Sequence, residues 1–140
     1  MKTKGITAIL SIQTDEDFLS HQLNPDYFSL LCEENGLEFY SCAIEDKNKV
    51  DFLEKWTEGV SLLRKLLKKG HVVYVHCSAG VYRSPQIVVL YLIIQYNITP
   101  AKAIAFVRSR HRFARPSESL IMRAFSSLGD GARKSKSLFV

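Results

Sequence analysis

The sequence predicts one α/β domain with helices covering a sheet. Short apolar, β-branched runs alternate along the chain with segments of helical period. The 140 residues make one domain, enough to bury roughly two-thirds of the unfolded surface without help from disulfides or metal. The three cysteines, Cys32, Cys42 and Cys77, are scattered at spacings that form neither a disulfide framework nor a zinc site.

In chain order, Gly5 to Thr14 (GITAILSIQT) reads as a strand. Asp15 can cap the next segment, with Glu16, Asp17 and Phe18 opening an irregular or helical stretch. Asn24-Pro25 breaks it, and Asp26 to Asn35 has helical spacing that stops at Gly36. Leu37 to Ile44 alternates as a second strand. Glu45 to Asn48 is a polar loop. Val50 to Lys69 is a long amphipathic helix, with Phe52, Leu53, Trp56, Val60, Leu63 and Leu66 near a 3.6-residue period and Gly70 as its stop. Val72 to Val75 is a short buried strand that ends at His76-Cys77. A glycine-bearing loop and a third apolar helix, reaching Ile94, come next. Asn97 to Pro100 turns the chain, Ala101 to Arg110 is helical, and Ser117 to Leu128 is a last helix begun after Pro116. The domain is thus expected over residues 1–128, and Gly129 to Val140 reads as a mobile tail.

The net charge of +5 is a mild basic bias that suits anionic substrates. No basic stripe is interleaved with stacking aromatics, so nucleic acid is not an expected partner. The longest apolar run, Ile87 to Ile94, is too short to span a bilayer, and no membrane association is expected. The cysteine usage, with no signal peptide, favours a reducing, intracellular setting: cytoplasmic, with the nucleus left open. A monomer is expected.

The chemistry concentrates in HVVYVHCSAGVYRSPQIVVLYLII, His71 to Ile94. A cysteine sits at the C-terminal end of a strand, a loop curls after it, and a helix N-terminus points back at it. A free cysteine is mostly protonated at neutral pH, and the nucleophile must be the thiolate. The N–H groups of Ser78, Ala79, Gly80, Val81, Tyr82 and Arg83 can curl round one point. The helix offers roughly half a positive charge there, and Arg83 adds a full one. The same groups suit the oxygens of phosphate, sulfate or a similar oxyanion, two of them in the fork of Arg83. Gly80 lets the backbone turn. A sulfur held below a caged phosphate is set for in-line attack, with no cofactor or metal required. The plainer reading is a buried cysteine with a chance arginine six residues on.

HCSAGVYRS resembles the signature loop of the cysteine-based protein phosphatases, and Gly5 to Leu128 resembles their compact dual-specificity branch. The resemblance implies a protein-tyrosine-phosphatase-like fold with a mostly parallel sheet of about four to five strands. It also implies that Cys77 becomes a phosphocysteine, that Arg83 binds phosphate, and that Ser84 helps the thiolate leave. His76 would support the loop and the cysteine by hydrogen bonding, or be a plain structural histidine. The family takes its proton donor from a loop one helix and one strand earlier, here AIEDKNKVD. Asp46 is the expected acid; Asp51 is expected to cap the long helix and Glu45 to face solvent. All three can also be ordinary loop charges.

The expected substrate is a phosphoprotein carrying Tyr or Ser/Thr phosphate. The loop interior has no lysine, unlike the phosphoinositide phosphatases of this superfamily. GITAILSIQT with DEDF, and KKGHVVYVHCSAGV, are also similar to the laforin-like and plant phosphoglucan phosphatases. Their loop has the form C-x-A-G-x-G-R, and Tyr82 replaces its last glycine. A phosphoglucan substrate is therefore the alternative, and a non-catalytic phosphate-binding module the third reading. Rhodanese-like folds fit the upstream acid loop and the two later helices poorly. Tyr82 can stack on a substrate ring or pack outward. Arg108, Arg110, Arg112 and Arg115 form a solvated basic face or a rim for acidic segments. Ser117 is a lesser site candidate; Cys32, Cys42 and Trp56 read as core. Relatives carry an extra strand and turn before the segment matching Gly5, so the N-terminal edge of the sheet is expected to be minimal or the sequence shortened.

Overall fold

The computed structural model describes residues 4–129. Their sheet has three strands, β1 (Ala8–Ser11), β2 (Glu38–Ser41) and β3 (Val73–His76), in the order β2-β1-β3. Both pairings are parallel, with Ile9 opposite Phe39 on one side and Tyr74 on the other. The α/β class stands, but the sheet is smaller than the four to five strands expected. After β3 every described apolar segment coils into helix, so none can extend the sheet.

Among the described residues six helices surround it: α1 (Asp15–Ser20), α2 (Pro25–Glu34), α3 (Lys49–Lys68), α4 (Arg83–Tyr96), α5 (Pro100–Arg110) and α6 (Glu118–Ser126). The cap of α1 is Thr14, not Asp15. Thr14 Oγ1 accepts from the Asp17 N–H at 3.2 Å, and Asp17 accepts from the Thr14 N–H at 2.9 Å, a reciprocal capping box. Asn48, not Asp51, caps α3: its side chain accepts from the Asp51 N–H at 3.0 Å. Asp51 instead accepts from the Glu45 N–H at 2.7 Å and pairs with Lys55 at 2.7 Å, which ties the Glu45–Asn48 turn to the helix. Glu45 is exposed, as expected.

Alternation along the strands divides the side chains between two faces. Ala8, Leu10, Val73 and Val75 meet Phe52, Trp56, Val60 and Leu66 of α3 and Ile87 and Leu90 of α4 in the main core. Gly59 lets α3 and α4 approach closely; a Cβ there would come within 3.0 Å of Ile87 Cδ1. Ile9, Ser11, Phe39, Tyr74 and His76 share the other face. Phe28 lies against Phe39 and Phe18, both at 5.5 Å between ring centroids, and near His76 at 6.2 Å. Cys32 and Cys42 are buried and unpaired, as expected, and burial pushes the Cys42 thiol up to about 12. Residues 130–140, most of the expected tail, lie outside the described residues.

Candidate active site

β3 ends at His76 and α4 begins at Arg83, so residues 77–82 form one tight loop between strand end and helix start. Gly80 turns it with φ +67°. No side chain caps the first turn of α4, so its N–H groups stay open toward the loop. Cys77 is 8% exposed, and the Ser84 hydroxyl donates to its sulfur at 3.3 Å. Ser84 therefore sits where it can stabilise negative charge on that sulfur.

Arg83 is almost fully buried, and its fork is taken by Asp17, which the sequence marks only as an opener of α1. Nη1 donates to Asp17 Oδ2 at 2.6 Å and Nη2 to Oδ1 at 3.2 Å. Nη1 also donates to the Ile44 carbonyl at 2.8 Å. The expectation of a fork free for phosphate thus gives way to a different arrangement, with Asp17 holding the two Nη atoms. Nε lies 3.3 Å from Asp46 Oδ1, at ion-pair distance but outside hydrogen-bond alignment. The structure brings Asp46 to the loop and leaves Asp51 engaged with Lys55.

Ser78 closes the network. Its hydroxyl donates to Asp17 Oδ1 at 2.9 Å and accepts from Arg83 Nη2 and Gln13 Nε2, each at 3.2 Å. One donor and two acceptor positions are all used. Burial pushes the Asp17 carboxyl up, but hydrogen bonds from Arg83, Thr14 and Ser78 outweigh it and hold Asp17 well below the usual carboxylate range. Sequence reasoning missed Gln13 and Asp17 as site residues; the signal for Asp17 was the T-x-x-D capping pattern, which fixes where its carboxylate points.

Removing the Asp17 charge leaves a buried cation short of its partner. Asp17→Asn is expected to lose about 3 kcal/mol at pH 7, the low end for a broken buried pair. The folded pKa is depressed, so the Asp17 contribution is complete above its unfolded value of about 3.9 and fades as pH falls below it. Urea unfolding should therefore show a gap between wild type and Asp17→Asn at pH 7 that narrows near pH 3. An equal gap at both would rule out the charge as its source.

His76 stacks on Tyr74, with rings 5.4 Å apart and 7° from parallel. Its Nε2 has no hydrogen-bond partner among the described residues. Burial lowers its pKa, opposed by a backbone hydrogen bond with Cys77, so the ring is neutral at pH 7. Ser78 and Ala79 are exposed; Gly80 and Val81 are half-buried. Tyr82 is 49% exposed and lines a cavity of about 330 Å³ with Asp46, Lys47, Phe52, Arg83 and Leu120. Its ring is thus on the wall beside the loop. Ser117 borders the same cavity, but its hydroxyl caps α6 through the Leu120 N–H and its own N–H donates to Gln86 Oε1 at 3.0 Å. Among the described residues no group of three or more His, Cys, Asp or Glu could hold a metal ion, and no helix is long and apolar enough to cross a membrane.

A parallel three-stranded sheet that delivers a cysteine loop onto a helix N-terminus is the protein-tyrosine-phosphatase-like fold. The solved structure of kinase associated phosphatase superposes with a TM-score of 0.73 at 19% identity, covering 96% of this chain and 74% of that one. Residues 1–125 match the family described as dual specificity phosphatase, catalytic domain. The chain belongs to that family. Laforin of Mus musculus is 32% identical over 105 residues, 67% of this chain and 32% of laforin. Dual specificity protein phosphatase 1-A of Xenopus laevis is 26% identical over 121 residues, 86% of this chain and 29% of that protein. The chain thus spans about a third of the length of these relatives.

Proposed function

We propose that the protein is a phosphomonoester hydrolase that removes Tyr and Ser/Thr phosphate from proteins through a phosphocysteine. The observation that carries this is the meeting of Cys77, Ser84, Arg83 and Asp46 at one loop, with the Ser84 hydroxyl on the Cys77 sulfur at 3.3 Å and Asp46 at 3.3 Å from Arg83 Nε. The Cys77 thiolate attacks phosphorus while the bond to the leaving oxygen breaks, and Asp46 gives that oxygen its proton. Water then attacks the phosphocysteine and gives a proton to Asp46. The S–P bond breaks, and Ser84 stabilises the departing thiolate. The loop N–H groups and the Nε side of Arg83 hold the phosphate oxygens. Asp17 keeps the Nη atoms, so the arginine stays aimed. Asp46, whose side chain is 45% exposed, moves off Nε when the phosphate arrives.

The substrate is assigned from the loop's surroundings. Arg110 stacks over Phe106 at 5.4 Å and Arg112 over Phe113 at 4.5 Å, a cationic rim suited to acidic peptide segments. Dual specificity protein phosphatase 1-A is named for protein substrates. The likeness to laforin, and the exposed Tyr82 ring that can stack on a sugar, favour a phosphoglucan as the second reading. An intracellular setting belongs to the proposal and is supported by three unpaired cysteines.

Side-by-side turnover of phosphotyrosine and phosphothreonine peptides and of phosphorylated amylopectin tests this. Faster release from peptides is expected; preferential release from the glucan would replace the first reading with the second.

A further inference from the structure

We infer that His111 is a positioning residue that sets the oxyanion geometry of the cysteine loop from outside. The inference rests on the proposed function and extends it to a residue hidden in the arginine run before α6.

His111 follows α5 and closes it, its N–H donating to the Val107 carbonyl at 2.9 Å. Its ring Nε2 meets the Gly80 carbonyl at 2.9 Å. A carbonyl only accepts, so Nε2 carries the proton. Four residues later the Arg115 N–H donates to the Val81 carbonyl at 2.7 Å. Two successive carbonyls of the loop are therefore held by one segment, residues 111–115. In a trans peptide the C=O and the next N–H point in opposite directions, and no peptide bond here is cis. Drawing the Gly80 carbonyl toward His111 turns the Val81 N–H the other way. Drawing the Val81 carbonyl toward Arg115 does the same for the Tyr82 N–H. Both N–H groups are among those the phosphate needs.

The two contacts differ in kind. The Arg115 contact comes from backbone and survives most substitutions. The Gly80 contact depends on one side chain and acts where φ is +67°, the least restrained point of the loop. The imidazole is itself oriented: it lies edge-on to Phe113 at 6.3 Å and 76°, and Phe113 carries Arg112 on its face.

The test uses the full chain with orthovanadate as the oxyanion probe and p-nitrophenyl phosphate as substrate. His111→Ala is expected to raise the vanadate Kd and the substrate KM about tenfold, the scale of one lost hydrogen bond, with a smaller change in kcat. His111→Gln places an amide N–H near the Nε2 position and should recover to within about threefold of wild type. His111→Asn is too short to reach Gly80 and should behave as His111→Ala. Vanadate binding by His111→Ala or His111→Asn within about twofold of wild type would overturn the inference. So would equal losses in Gln and Asn, which would mark a packing role. If wild type itself binds no vanadate and turns over no substrate, it is the proposed function that fails.

Discussion

Cys77→Ser is expected to lower hydrolysis of p-nitrophenyl phosphate by at least about 10⁴-fold, since losing the nucleophile of a covalent hydrolase can cost about 10⁶. The substitution exchanges one atom at a site only 8% exposed, so the loop and its partners should stay in place. Arg83 is held by Asp17 and the Ile44 carbonyl rather than by Cys77. Binding of orthovanadate or phosphate should therefore persist while turnover disappears. A serine variant with wild-type turnover would remove the phosphocysteine from the mechanism. Loss of both binding and turnover, with a lowered Tm, would show that the substitution had damaged the loop.

Asp46→Ala should slow hydrolysis according to the leaving group. A phosphotyrosine or phosphothreonine peptide leaves as a strong base and needs a proton, so a loss of about 10²–10³-fold is expected. A leaving group that departs as a stable anion, such as a nitrophenolate, should lose roughly tenfold or less. The structure adds a second expectation. Asp46 faces Arg83 Nε at 3.3 Å, so an arriving oxyanion must displace a carboxylate. Asp46→Ala should bind phosphate at least as tightly as wild type. Asp51→Ala serves as the control: Asp51 holds the Glu45 N–H and Lys55, and its loss should lower stability without any leaving-group dependence. Equal slowing of good and poor leaving groups in Asp46→Ala would sink its assignment as the acid.

The parts of the site that sequence discloses are local. Cys77, Ser84 and Arg83 lie on one short loop and the turn after it, so their spacing is enough to place them together. The acid loop is placed by resemblance, and the structure brings Asp46 to the arginine. The cap of α3 differs from the expected one by three residues because Asn48 and Asp51 are both good capping types. The pattern suggests a first strand of ten residues, and the strand is four; Thr7 and Ile12 on either side still donate to the Val72 and His76 carbonyls across the sheet, while Thr14 is already committed to capping α1. The basic run reads as charge alone, and nothing in its pattern marks the histidine inside it as a loop contact.

By itself the sequence determined the α/β class, the helix order and which residues the loop brings together, because these depend on periodicity and on residues close in the chain. The tertiary structure alone decided what holds Arg83. Asp17 is 66 residues away and reaches it only because β1 and β3 are parallel neighbours whose C-terminal ends meet. The same holds for His111, 31 residues from the carbonyl it contacts. Side-chain identity states what a group can do. Which partner it finds across the end of a sheet depends on strand order and register, and those are settled only when the whole core closes.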